Sequence, residues 1–187
     1  MKVRDALASA EHQLADAGID TPRVDAEWLV AHVLGTTRSG VYARLDDEVE
    51  LDGLVERRAA REPLAYILGE WGFRRLTLKT DERALVPRPE TETVVDRALA
   101  LVRDVEAPRV LDIGTGTGAI ALAVKDERPD AVVVAVDISR AALSLARENA
   151  ERLGLDVELR EGDESAAADG WDLVVSNPPY EIGRAHV

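Results

Sequence analysis

Three short apolar runs in this chain each end in a chemically loaded turn, and this repetition constrains the fold more than any other feature. The runs cover residues 109–113, 131–136 and 171–176; the turns after them open with Gly114, Asp137 and Asn177. Amphipathic helical stretches separate the runs. Strands alternating with helices at this spacing predict a parallel sheet with right-handed crossovers. In an open sheet of that kind, ligands bind at the carboxyl edge, near the point where strand order reverses. All three turns fall on that edge, and their shared location weighs more than any one of them.

The rest of the chain divides around this sheet. Residues 1–70 read as a small helical bundle. Val3, Leu7, Ala10, Leu14 and Ala17 form one stripe, with Gly18 as a stop. A second helix is predicted over 23–34, with Pro22 at its start and Gly35 past its end. A third covers about 51–61 and is halted by Pro63. Over 71–88 the period shortens, and Phe73, Leu76, Leu78 and Leu85-Val86 predict a hairpin linking two domains. From Pro89 a helix carries Val94, Val95, Ala98, Leu99 and Val102 on its buried face. The segment 89–180 is the sheet domain. Ala131 to Val136 shows almost no alternation, as expected of a strand covered on both faces. Ser139 caps the next helix, which Gly154 stops. Residues 157–160 form a further strand.

Composition excludes several functions. Of 187 residues, 36 are Asp or Glu and 23 Lys or Arg, for a net charge of -13. That balance opposes a nucleic-acid site, which needs cations against phosphates. There is no cysteine, so disulfides and thiolate metal sites are excluded, and three histidines without ligand-like spacing give no zinc site. No run approaches the roughly eighteen apolar residues of a membrane span, and the start lacks the apolar core of a signal peptide. The expectation is a cytoplasmic, monomeric protein with no membrane partner and no metal.

The first turn reads Asp112-Ile113-Gly114-Thr115-Gly116-Thr117-Gly118. Glycine lets backbone approach a ligand closely and tolerates positive φ. The third glycine comes one residue earlier than in the dinucleotide fingerprint G-x-G-x-x-G. Asp112 can hold the loop backbone or reach a cationic group, and Asp137 can accept both hydroxyls of a ribose. A nucleotide of another type, such as NAD, is the competing reading of these residues.

The third turn reads Asn177-Pro178-Pro179-Tyr180. A carboxamide nitrogen is a poor nucleophile because its lone pair is delocalised. The side-chain carbonyl of Asn177 and the backbone carbonyl of Pro178 could each accept one of its N–H groups. That would aim the nitrogen at a sulfonium methyl and stabilise the positive charge that develops. The prolines stiffen the turn, and Tyr180 offers a flat face to a planar group. No strong base is required, because the methylated nitrogen is acidic enough to lose its proton to water. The bland alternative is an ordinary strand-ending turn, where Asn-Pro is common.

Taken together, the glycine loop and the tetrapeptide resemble the amino methyltransferases that act on planar nitrogen. Glu62-Pro63-Leu64-Ala65-Tyr66-Ile67-Leu68-Gly69 and Leu85-Val86-Pro87-Arg88-Pro89-Glu90-Thr91-Glu92 narrow this to the release factor glutamine methyltransferases, the HemK/PrmC family. The resemblance runs from about residue 3 to Tyr180. It implies a Rossmann-like, S-adenosylmethionine-dependent α/β methyltransferase sheet, preceded by a helical bundle that docks the protein substrate. It implies that the acceptor is the glutamine of the Gly-Gly-Gln loop in class I peptide chain release factors. By the same match, Asp112, Gly114, Thr115, Gly116, Thr117, Gly118, Asp137, Asp163 and Asn177 belong to the cofactor site. Asn177, Pro178, Pro179 and Tyr180 hold the glutamine, with catalysis resting on Asn177, Pro178 and Tyr180. Arg88, Glu90 and Glu92 border the acceptor, although helix capping is an equally good account of them. The alternatives are a ribosomal protein glutamine or the exocyclic amine of adenine as acceptor, or a catalytically dead fragment that only binds release factor.

Two departures stand out. After Gly162-Asp163, where relatives often place an aromatic against the adenine, this chain has Glu164. The family also continues for roughly a hundred residues past the tetrapeptide. Here the sheet is incomplete, and the tail 181–187 resembles the in-frame translation of a sequencing adapter. It reads as non-native, on a chain truncated near Tyr180.

Overall fold

In the computed structural model, which describes residues 1–178, the chain divides into two units, Met1–Gly69 and Glu70–Val187. The first unit is helical. Helix α1, Val3–Asp16, buries Val3, Ala6, Leu7, Ala10 and Leu14 on one stripe. The predicted stripe overruns by one residue, because Ala17 is already the C-cap. Helix α2, Pro22–Leu34, starts on its proline and ends at Gly35, whose φ of 60° lets its N–H return to the last turn.

Sequence reasoning missed two short helices. Helix α3, Arg38–Val41, is a single turn capped by Thr37, which accepts from the Gly40 amide at 3.1 Å. Helix α4, Leu54–Ala59, is shorter than expected. Pro63, read only as a stop, also opens α5, Leu64–Leu68. Two acids on α2 tie this unit together. Buried Asp25 accepts from Arg58 Nε at 2.7 Å. Glu27 accepts from Arg23, Arg38 and Tyr42; the tyrosine hydroxyl, then Arg38, hold its carboxyl below the usual range.

The second unit opens with antiparallel strands β1, Glu70–Phe73, and β2, Leu76–Lys79. Then come α6, Glu90–Leu101; β3, Arg109–Ile113; α7, Ala119–Glu127; β4, Val132–Asp137; α8, Arg140–Leu153; β5, Glu158–Glu161; a 3-10 turn, Glu164–Asp169; and β6, Leu173–Ser176. The four later strands form one parallel sheet in the order β5-β4-β3-β6. This is the predicted α/β sheet, and its order reverses at β3, the strand that leads into the glycine loop.

Side chains alternate across the sheet. Val110, Val133, Ala135 and Val175 share a core with Val95 and Ala98 of α6 and with the apolar face of α7. Leu111, Val134 and Val136 form a second cluster, against which Ile113, Ala166 and Trp171 pack. The predicted buried face of α6 holds at Val95, Ala98 and Val102, whereas Val94 and Leu99 are only partly covered.

The hairpin is an integral piece of the second unit and not a tether. Phe73, Leu76 and Leu78 lie in its main core. Leu85, expected to extend the hairpin, is exposed in a loop. Arg74 turns the hairpin at a φ of 51° and reaches Glu127 and Asp96 at 2.5 and 2.7 Å.

Asn149, on α8, was not singled out from sequence. It is fully buried, and its amide has three partners. Oδ1 accepts from the Lys79 amide at 2.7 Å, and Nδ2 donates to the carbonyls of Lys79 and Thr117 at 3.1 and 3.0 Å. Removing it leaves the N–H and carbonyl of Lys79 in β2 and the carbonyl of Thr117 in the glycine loop without this partner. Asn149→Ala is therefore expected to lower unfolding stability by about 3 kcal/mol. Denaturant titration should show the midpoint falling with an unchanged slope.

Candidate functional site

Strand register assembles the site. Ile113 pairs with Val136 on one side and with Ser176 on the other. One residue further along each strand therefore lie Asp137, Gly114 and Asn177, side by side on the same edge. Neighbouring strands are about 4.8 Å apart, so three turns distant in sequence form one row.

The glycine loop is folded by its neighbours. The Val136 carbonyl accepts from both Gly114 and Thr115 amides, at 2.8 and 3.0 Å. Gly114 has a φ of 71°, and a side chain there would meet nothing within 4 Å, so its outer surface is open to a ligand. Gly118 answers to a different constraint. At a φ of 85°, a Cβ would lie 2.9 Å from Leu122 Cδ1 and 3.3 Å from Ala146 Cβ. Gly118 is thus required for packing α7 onto α8. Thr115 and Thr117 are buried within the loop.

Asp137 is fixed by two backbone donors, Gly116 to Oδ2 at 2.9 Å and Ser139 to Oδ1 at 2.9 Å. Each carboxylate oxygen keeps lone-pair capacity for a further donor. Ile138, directly after it, is 77% exposed, an unusual position for an isoleucine beside a binding edge. Sequence analysis passed over it, though an apolar residue following a strand-ending acid was the available signal.

Asp112 is 1% exposed and lies under the loop, so it holds the loop and is closed to direct ligand contact. Its Oδ2 accepts from the Thr115 hydroxyl at 2.7 Å. Burial is the main cause that pushes its carboxyl up to about 6, opposed by the Thr115 hydroxyl and the Ala121 amide and aided by the charge of Asp137.

Asn177 is partly buried, and its Nδ2 donates to Thr91 Oγ1 on α6 at 2.8 Å. Ser176 donates to the Ile113 carbonyl at 2.8 Å, closing the gap between the two strand ends. Pro178 is exposed. Pro179, Tyr180 and the tail 181–187 lie outside the described residues. The segment that precedes α6 runs beside the loop: Ala84 Cβ is 3.8 Å from where a Gly116 Cβ would stand. Arg88 and Glu90 are exposed, and Arg88 has no ion pair among the described residues.

Two expected site residues already have hydrogen-bond partners of their own. Glu92 Oε1 accepts from the Arg74 amide at 3.0 Å and braces the hairpin turn. Asp163 caps the 3-10 turn by accepting from the Ser165 amide at 2.9 Å, although it is exposed next to the edge of the sheet. Among the described residues no group of His, Cys, Asp or Glu is placed to hold a metal ion, and no helix is long and apolar enough to cross a membrane.

The parallel sheet, with a glycine loop and a strand-ending acid side by side, defines a Rossmann-like methyltransferase. Comparison with known proteins agrees: residues 93–187 match the methyltransferase small domain, and residues 5–69 the PrmC N-terminal domain. A release factor glutamine methyltransferase from Deinococcus radiodurans is 51% identical, over 96% of this chain and 67% of that protein. Proteins of the same name from Caulobacter vibrioides and Streptomyces coelicolor are 42% and 46% identical, over 94% and 93% of this chain and 64% of each of those proteins. The chain belongs to the release factor glutamine methyltransferase family. It spans about two thirds of the length of these curated relatives.

The Asp112 carboxyl gives a signed pH dependence. Its folded value lies above the ordinary 3.8, so the folded state holds the proton more tightly. The protein therefore loses stability as pH rises from about 4 through 6, by about 3 kcal/mol for two units. Asp112→Asn removes this dependence. The stability of the variant relative to wild type should rise by that amount between pH 4 and 7, as read from unfolding curves at each pH.

Proposed function

We propose that this chain methylates the side-chain amide nitrogen of the glutamine in the Gly-Gly-Gln motif of class I release factors. The methyl donor is S-adenosylmethionine. The observation that best supports this reading is the row of Asp137, Gly114 and Asn177, which sets a nucleoside-binding acid and a glycine cradle beside a carboxamide.

The donor supplies an electrophilic methyl group on a sulfonium; the rest is done by this chain. Asp137 would hold the ribose hydroxyls on the lone pairs that its two backbone bonds leave free. The open face of Gly114 would let the donor approach the loop backbone. Exposed Ile138 would offer an apolar surface to the adenine, where the sequence has no aromatic after Gly162-Asp163. The Asn177 carbonyl and the backbone carbonyl of Pro178 accept the two N–H groups of the glutamine amide, orienting its nitrogen and stabilising positive charge as the bond forms. Tyr180 is assigned, from the motif alone, the role of offering a flat face to the planar amide. Arg88, exposed ahead of α6, borders the acceptor.

The first unit, matched to the PrmC N-terminal domain, docks the protein substrate. The acidic balance favours a protein acceptor over nucleic acid. The reading includes a monomer acting in the cytoplasm.

Mass spectrometry of a release factor incubated with S-adenosylmethionine and this chain tests the assignment. The expected result is one methyl group on the Gly-Gly-Gln glutamine; methylation of a ribosomal protein or of adenine in its place would overturn it. Asn177→Ala should lower kcat by about a hundredfold with donor affinity unchanged, since its carbonyl acts mainly in the transition state. Asp137→Ala should instead weaken donor binding by about tenfold or more, measured by calorimetry, because a charge-assisted hydrogen bond is lost.

A further inference from the structure

We propose that Thr91 is a positioning residue for the acceptor: its hydroxyl anchors the amino end of the Asn177 amide, leaving the carbonyl end free to receive the glutamine. The inference rests on the role given to Asn177 under the proposed function, and neither the sequence motifs nor the family match assigns any part to Thr91.

Asn177 has two nearly isosteric amide ends, and only the carbonyl end can accept an N–H. Turned the other way, it would present donors to a donor and repel the substrate amide. In the structure Nδ2 is engaged, at 2.8 Å from Thr91 Oγ1, while Oδ1 has no hydrogen-bond partner among the described residues. Thr91 is itself well placed as an anchor. It is 6% exposed, lies in the first turn of a twelve-residue helix, and its amide donates to the Arg88 carbonyl at 3.0 Å. A β-branched side chain in a helix has few rotamers available, so the hydroxyl has a defined position.

The wider setting fits the assignment. Asn177 directly follows β6, and the Thr91 hydroxyl reaches its amide from α6, a separate element. The segment from Ala84, beside Gly116, to Thr91, beside Asn177, thereby spans both halves of the site. The loop at one end and the acceptor carboxamide at the other are referenced to the same stretch of backbone.

The test uses this chain and two variants, Thr91→Val, which keeps shape and removes the hydroxyl, and Thr91→Ser, which keeps the hydroxyl. Side-chain amide resonances of Asn177 are recorded by NMR with no substrate present. The anchor predicts a changed shift and faster proton exchange in Thr91→Val, with near wild-type behaviour in Thr91→Ser. Unchanged Asn177 resonances in Thr91→Val would overturn the proposal whatever the activity.

Methyl transfer to a release factor is then followed. A neutral hydrogen bond is worth roughly a three- to tenfold change, so kcat should fall by that factor in Thr91→Val. Affinity for S-adenosylhomocysteine should stay within about twofold, and Thr91→Ser should restore the rate. Equal losses in thermal stability and S-adenosylhomocysteine affinity, with kcat preserved, would reduce Thr91 to a packing residue. If wild type methylates no glutamine, the proposed function fails and the resonance comparison alone decides the anchor.

Discussion

A single buried carboxamide holds the second unit's parts in register. Asn149 takes both backbone groups of Lys79 at the end of the hairpin and the Thr117 carbonyl in the glycine loop, all from the middle of α8. A carboxamide suits this position because it offers a donor group and an acceptor at fixed separation without a charge to desolvate. Take it away and both the hairpin and the glycine loop lose their partner on α8. Its bond to the Thr117 carbonyl ties the glycine loop to α8, beside the constraints that the glycines supply.

The loop shows how differently similar residues are constrained. Gly114 borders open space, and its lack of a side chain serves approach from outside. Gly118 faces inward, where Leu122 and Ala146 leave no room for a methyl group. The two acids of the site divide in the same way. Asp112 is sealed beneath the loop, where burial pushes its carboxyl up to about 6, whereas Asp137 stands at the rim, held by two amides. The buried acid thus lies below the loop, and the partly exposed one leaves a hydrogen-bond acceptor at the rim.

Much of this architecture was readable in the sequence. The strand over 109–113 and the caps Pro22, Gly35, Ser139 and Gly154 were legible because apolar runs and special backbone angles leave compositional marks. Helices α3 and α5 left almost none, since one or two turns are too short to show a period. The row of Asp137, Gly114 and Asn177 followed from the rule that parallel strands present their carboxyl ends together. The bond by which Glu92 braces the hairpin turn was not legible, because its partner Arg74 lies 18 residues away. Asn149 and Thr91 were missed for one reason: each is polar in a helix and reads as surface. For Asn149 a signal existed, since it falls on the stripe of Ala142, Leu145 and Ala146. Thr91 had none, because its partner lies 86 residues away.

That separation has a bearing on biosynthesis. The Asp137 contact with Gly116 closes a loop of 21 residues, whereas the Asn177 contact with Thr91 closes one of 86. Loop closure grows more costly with length, and a nascent chain leaves the ribosome N-terminus first. The Asp137–Gly116 contact can thus form before β6, which leads into Asn177, has emerged, so the two contacts belong to different stages of synthesis.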